Sequence, residues 1–123
     1  MRPSEPKGRA PKGAPKPKAA ACGPSWGPGS FVVAYLRDPR EKVWGLLLHL
    51  EAAGFWIRGI ELNAFDDWMR ERAAGLAGTL GPSTTFLPFL RVEKIVVDEP
   101  LGPAASLKER LEAAAGRPAE ELL

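Results

Sequence analysis

The sequence predicts a mainly β protein with α-helices: a small five-stranded barrel, one helix inserted between its third and fourth strands, and a second helix at the C-terminus. Three observations lead there. Short runs rich in β-branched and aromatic residues recur from Ser30 to Glu99, each bounded by glycine, proline or aspartate. The stretch Gly54-Phe-Trp-Ile-Arg-Gly-Ile-Glu-Leu-Asn-Ala-Phe-Asp-Asp-Trp68 changes from strand-like to helix-like composition without an intervening loop. Ser106-Leu-Lys-Glu109 has the spacing of a capping box ahead of an alanine-rich run.

The elements follow in order. Ser30–Leu36 reads as the first strand, and Asp38-Pro39 marks the turn after it. Lys42–Glu51 is the second strand. Alternation sends Trp44, Leu46, Leu48 and Leu50 to the core and Val43, Gly45, Leu47, His49 and Glu51 to a partly covered outer face. Ala52-Ala-Gly54 turns into the third strand, Phe55–Leu62, where a bulge near Gly59 would bring Phe55, Ile57, Ile60 and Leu62 toward one core. Asn63 is placed to cap the helix that follows, with Asp66 at its third position and Asp67 beside it, where carboxylates suit the positive end of the dipole. Phe65, Trp68, Met69, Arg72 and Leu76 make the helix face that docks, and Gly75 or Gly78 ends it. Thr84–Pro88 is the fourth strand, Phe89–Val92 a tight turn, and Glu93–Glu99 the fifth strand. Pro100–Pro103 links to the last helix, which Gly116-Arg-Pro118 terminates.

Five short strands with a helical turn between the last two resemble SH3-like and Sm-like barrels. Within residues 30–99, Gly54, Gly59, Phe65 and Asp66 are similar to the Sm-like pattern of two spaced glycines followed by Phe-Asp. The resemblance implies the barrel topology and, through the group's activity, RNA binding. The segment Phe86–Ile95, where the group's second motif would fall, does not carry its residues.

Charge divides the chain. Residues 1–30 hold six Lys/Arg and one acidic residue, a net +5, with seven prolines and five glycines. Residues 31–123 hold 11 Lys/Arg and 14 Asp/Glu, a net −3. Residues 1–29 are therefore expected to be a disordered basic tail, followed by the barrel with its helix at 30–99 and the linker and last helix at 100–123. Lys7, Arg9, Lys12, Lys16 and Lys18 suit an electrostatic arm for nucleic acid or an acidic partner; a solubilising tail or an over-long gene start is the competing reading. The apolar runs are too short for a membrane span, the residues before Cys22 lack the apolar region of a signal peptide, and a cytoplasmic protein is expected.

Catalytic chemistry finds little footing. Cys22 is the sole cysteine and His49 the sole histidine. Adjacent Asp66 and Asp67 diverge by about 100° on a helix and cannot converge as a dyad. The glycines at 75, 78 and 81 form no phosphate loop. No catalytic, metal or cofactor site is expected. The candidate interaction residues are Trp56 and Arg58, which share a strand face, and Arg91 in the turn before the last strand. The expected function is a non-enzymatic interaction module that binds a protein partner or self-associates. The alternative is RNA or DNA binding through the aromatic/arginine face and the basic tail.

Overall fold

Runs of β-branched and aromatic residues form the five strands of a computed structural model that describes residues 26–76, 78 and 80–123. They are β1 (Phe31–Leu36), β2 (Glu41–Leu50), β3 (Gly54–Glu61), β4 (Ser83–Pro88) and β5 (Val92–Val97). Helix α1 (Leu62–Ala73) lies between β3 and β4, and α2 (Leu107–Ala115) and α3 (Ala119–Leu122) follow β5. The basic arm and Cys22 lie outside the described residues.

All ladders are antiparallel, in the order β4-β3-β2-β1-β5. The ladders make an open sheet with β4 and β5 at its edges, where the sequence predicts a closed barrel. The sheet is nevertheless strongly curled. Its two edges are joined by only the 3-10 turn Phe89–Arg91, whereas five strands laid flat would separate them by about 19 Å. Leu87 of β4 and Val92 and Ile95 of β5 accordingly pack into one cluster with Val32, Ala34, Leu36, Leu47, Phe55 and Ile57 on the inner face.

The outer face carries a second cluster. Phe31, Val33, Trp44 and Ile60 pack against Phe65 and Trp68 of α1, Leu111 of α2, and Ala119 and Leu122 of α3. Both sheet faces are therefore apolar. The predicted single core from Phe55, Ile57, Ile60 and Leu62 divides in two, because β3 alternates without a bulge. The irregularity falls in β2 instead, between Leu47 and His49. It shifts the alternation beyond Leu47, setting His49 opposite Trp56 and Leu50 opposite Phe55. Leu47 is buried in the inner cluster, a face expected to be only partly covered, while Leu48 and Leu50 are exposed. Gly45 and Gly59 face each other across β2 and β3, where a Cβ on either would strike the opposing backbone.

α1 starts directly from the strand. Glu61 is its N-cap, and no side chain caps it, so Asn63 does not take the capping role. Asp66 and Asp67 lie beyond the first turn. Asp66 accepts from Arg110 of α2 at 3.0 Å, and Asp67 from Arg70 at 2.8 Å. Gly75, at φ 72°, ends the helix as its composition predicts.

The capping box of α2 is present. Ser106 Oγ accepts from the Glu109 N–H at 3.1 Å, and Glu109 Oε1 accepts from the Ser106 N–H at 3.0 Å. Asp98, just past β5, takes the next two donors: Leu107 N–H at Oδ1 (2.9 Å) and Lys108 N–H at Oδ2 (2.8 Å). The same carboxylate accepts from the indole N–H of Trp44 at 3.0 Å, tying α2 to the core of the sheet. Ser106→Ala removes one member of the box and is expected to lower stability by about 1 kcal/mol in chemical denaturation.

Candidate functional site

Along the outer face of β3, every second residue is progressively less covered. Ile60 is buried under α1, Arg58 is half-buried, and Trp56 is 38% exposed. The helices cover one end of this face and leave the other to solvent. Trp44 and Trp68 are both buried in the outer cluster, which leaves Trp56 as the tryptophan of the sheet that reaches the surface.

Trp56 is held in place. Its indole N–H donates to Glu51 Oε2 at 3.0 Å, in the turn that the Glu51 N–H closes on the Gly54 carbonyl at 2.8 Å. Its ring packs on Phe86, 5.4 Å away and directly opposite it in β4. His49 stands opposite on the other side, in β2, with Nε2 3.9 Å from the same Glu51 oxygen. One hydrogen bond and one ring contact favour this orientation of the indole, which lowers the side-chain entropy cost of contact with a partner.

Arg58 reaches from β3 toward β4. Its guanidinium lies 3.5 Å from Thr84 Oγ1, a marginal hydrogen bond, and pairs with no carboxylate among the described residues. Leu46 sits opposite it in β2. The site thus combines an aromatic pair with a cation that has no counter-charge among the described residues.

Arg91 is placed elsewhere. Its guanidinium donates to the carbonyls of Arg37 (3.1 Å) and Pro39 (2.9 Å) and to Glu41 at 3.2 Å. In return, the Arg37 N–H donates to the Arg91 carbonyl at 2.8 Å and Arg37 Nε to the Leu90 carbonyl at 3.1 Å. Arg91 also lines a cavity of about 230 Å³ with Ile57, Thr85 and Leu87, residues of the inner face. It fastens the β1–β2 turn to the 3-10 turn. We expect Arg91→Ala to cost about 1–2 kcal/mol in urea unfolding without altering binding at Trp56.

A second cleft, about 270 Å³, is lined by Tyr35, Arg40, Glu41, Lys42, Leu62 and Glu93 among others. Lys42 and Lys94 lie 5.1 and 4.6 Å from the Tyr35 ring centroid. Its lining charges are of both signs. Among the described residues, no three His, Cys, Asp or Glu side chains gather as a metal site, and no helix is long and apolar enough to cross a membrane.

Sequence reasoning places Trp56 and Arg58 on one face, and the structure adds Phe86, Glu51 and His49 to it. Phe86 becomes a partner of Trp56 only through the β3–β4 register, which alternation within either strand does not reveal. No protein-family model, curated protein or solved structure matches the chain.

Proposed function

We propose that the protein is a non-enzymatic interaction module that binds a protein partner through Trp56, Phe86 and Arg58. The observation that carries this reading is the exposed Trp56, held by Glu51 and Phe86, with Arg58, which pairs with no carboxylate among the described residues, two residues along the same face. Fixed aromatic side chains beside an arginine are the residue types that dominate protein-binding energetics. Glu51, 3.0 Å from the indole N–H, puts negative charge at the Trp56 end of the platform and opposes a phosphate stacked there, leaving Arg58 as the place for an anionic group. A small SH3-like or Sm-like barrel in the cytoplasm belongs to the same proposal. The strand order, the curl of the sheet and the short turn joining its edges support the barrel component.

The test uses the full chain, Trp56→Ala and Arg58→Gln as baits in lysate with and without nuclease. Captured proteins are then purified and titrated against each bait. The expected result is nuclease-resistant capture of a protein whose affinity falls about 30-fold for either variant, with both variants melting within a few degrees of the parent. Capture that vanishes with nuclease replaces this reading with nucleic-acid binding. Capture of the chain's own copies makes the partner a second subunit. Undiminished affinity in both variants sinks the Trp56 site.

A further inference from the structure

The two edges of the sheet differ in a way that bears on what the Trp56 face can hold. β5 carries Glu93 and Lys94, and Asp98, Glu99 and Pro100 follow it. Charges and prolines of this kind discourage strand addition. β4 is Ser83-Thr-Thr-Phe-Leu-Pro88, without a charged residue and rich in β-favouring types. Its inner side pairs with β3, and no described strand pairs with its outer side. Ser83, Thr84 and Thr85 are all exposed, so no described helix or loop shields this stretch.

The side chains of the candidate site lead toward that same edge. Phe86 lies between Trp56 and the free side of β4. The Arg58 guanidinium reaches Thr84, its neighbour in β4, and has no carboxylate partner among the described residues. Thr84 and Phe86 are two residues apart and therefore share a face. A chain pairing with β4 would set one side chain beside Phe86 and, two residues away, another beside Thr84 within reach of Arg58.

We propose that the free edge of β4 receives an extended acidic peptide segment as a sixth strand. The inference rests on the reading of Trp56, Phe86 and Arg58 as the binding face. Addition is antiparallel, like every ladder in the sheet. In that direction the peptide residue opposite Phe86 precedes the one opposite Thr84. The segment therefore reads aromatic or large aliphatic, then any residue, then Asp or Glu. Main-chain hydrogen bonds supply affinity, the aromatic pair takes the apolar side chain, and Arg58 pairs with the carboxylate. Pro88 cannot donate a main-chain hydrogen bond, which confines the added strand to the stretch before it.

The experiment pans random heptapeptides displayed on phage against the full chain, then titrates the enriched peptide as synthetic material. The expected result is enrichment of the apolar–any–acidic order, with affinity falling about tenfold or more on N-methylation of an edge-facing amide. Arg58→Gln should remove the preference for the acidic residue. Peptides that lose affinity with Trp56→Ala yet tolerate N-methylation at every position overturn strand addition and leave the Trp56 platform standing. Peptides indifferent to Trp56→Ala and Arg58→Gln overturn the platform itself. A library that yields no enriched sequence, or one enriched in the reverse order, overturns the inference.

Discussion

Replacing Gly59 by alanine is expected to cost about 3–4 kcal/mol, enough to leave much of the protein unfolded at 37 °C. Gly59 lies opposite Gly45 in the central β2–β3 ladder, and a Cβ built on it would collide with the Trp44 carbonyl oxygen and the Gly45 Cα. Both obstacles are backbone, so no rotamer change can relieve the contact. Relief requires β2 and β3 to move apart, which breaks ladder hydrogen bonds between two apolar layers. Gly45→Ala meets Arg58 and Gly59 backbone in the same way. Gly81→Ala is the matched control: its Cβ meets nothing within 4 Å, and its φ lies outside the left-handed region. Urea unfolding followed by circular dichroism should show Gly81→Ala near the parent and Gly59→Ala far below it. Equal midpoints for the two variants would show that the close approach of the strands carries no stability.

Asp98→Ala is expected to cost about 3 kcal/mol, lowering the melting temperature by roughly 12–24 °C for a folded body of this size. One carboxylate accepts from the Trp44 indole and from the Leu107 and Lys108 N–H groups. Its removal leaves a core tryptophan without a hydrogen-bond acceptor. It also leaves two donors at the start of α2 unsatisfied, next to the positive end of the helix dipole. Asp98→Asn should recover only part of the loss. An amide presents a single oxygen, and its NH₂ would face donors on the other side. Calorimetric melting of the two variants tests this. A loss no larger than that of Ser106→Ala would show that Asp98 does not couple the sheet to α2.

Trp44 shows where legibility in the sequence stopped. Its burial followed from apolar alternation along β2, but its bond to Asp98 joins residues far apart in the chain. Leu47 shows the same boundary within one strand. Alternation puts Leu47 on the face opposite Trp44, and its burial there comes from an inner core built by distant strands. The irregularity between Leu47 and His49 then resets the alternation, and nothing in Leu-Leu-Leu-His favours that point over its neighbours. Asn63 shows a third case. It has the chemistry of an N-cap, yet the helix starts at Leu62. The strand runs without a loop into the helix, and packing of Leu62 and Phe65 against the outer cluster places the boundary.

Taken by itself, the sequence determined the number, type and order of the main elements, because each is encoded in local periodicity, turn residues and caps. It also placed Trp56 and Arg58 on one strand face, since that follows from a period of two. Only the tertiary structure decided that the sheet has apolar layers on both sides, that Trp44 and Trp68 are buried while Trp56 is not, and that Arg91 serves the β1–β2 turn. It alone set Phe86 beside Trp56 and the Arg58 guanidinium above Thr84 at an unguarded edge. These are matters of register, curl and helix coverage. They depend on contacts between residues distant in the chain, which no local pattern specifies.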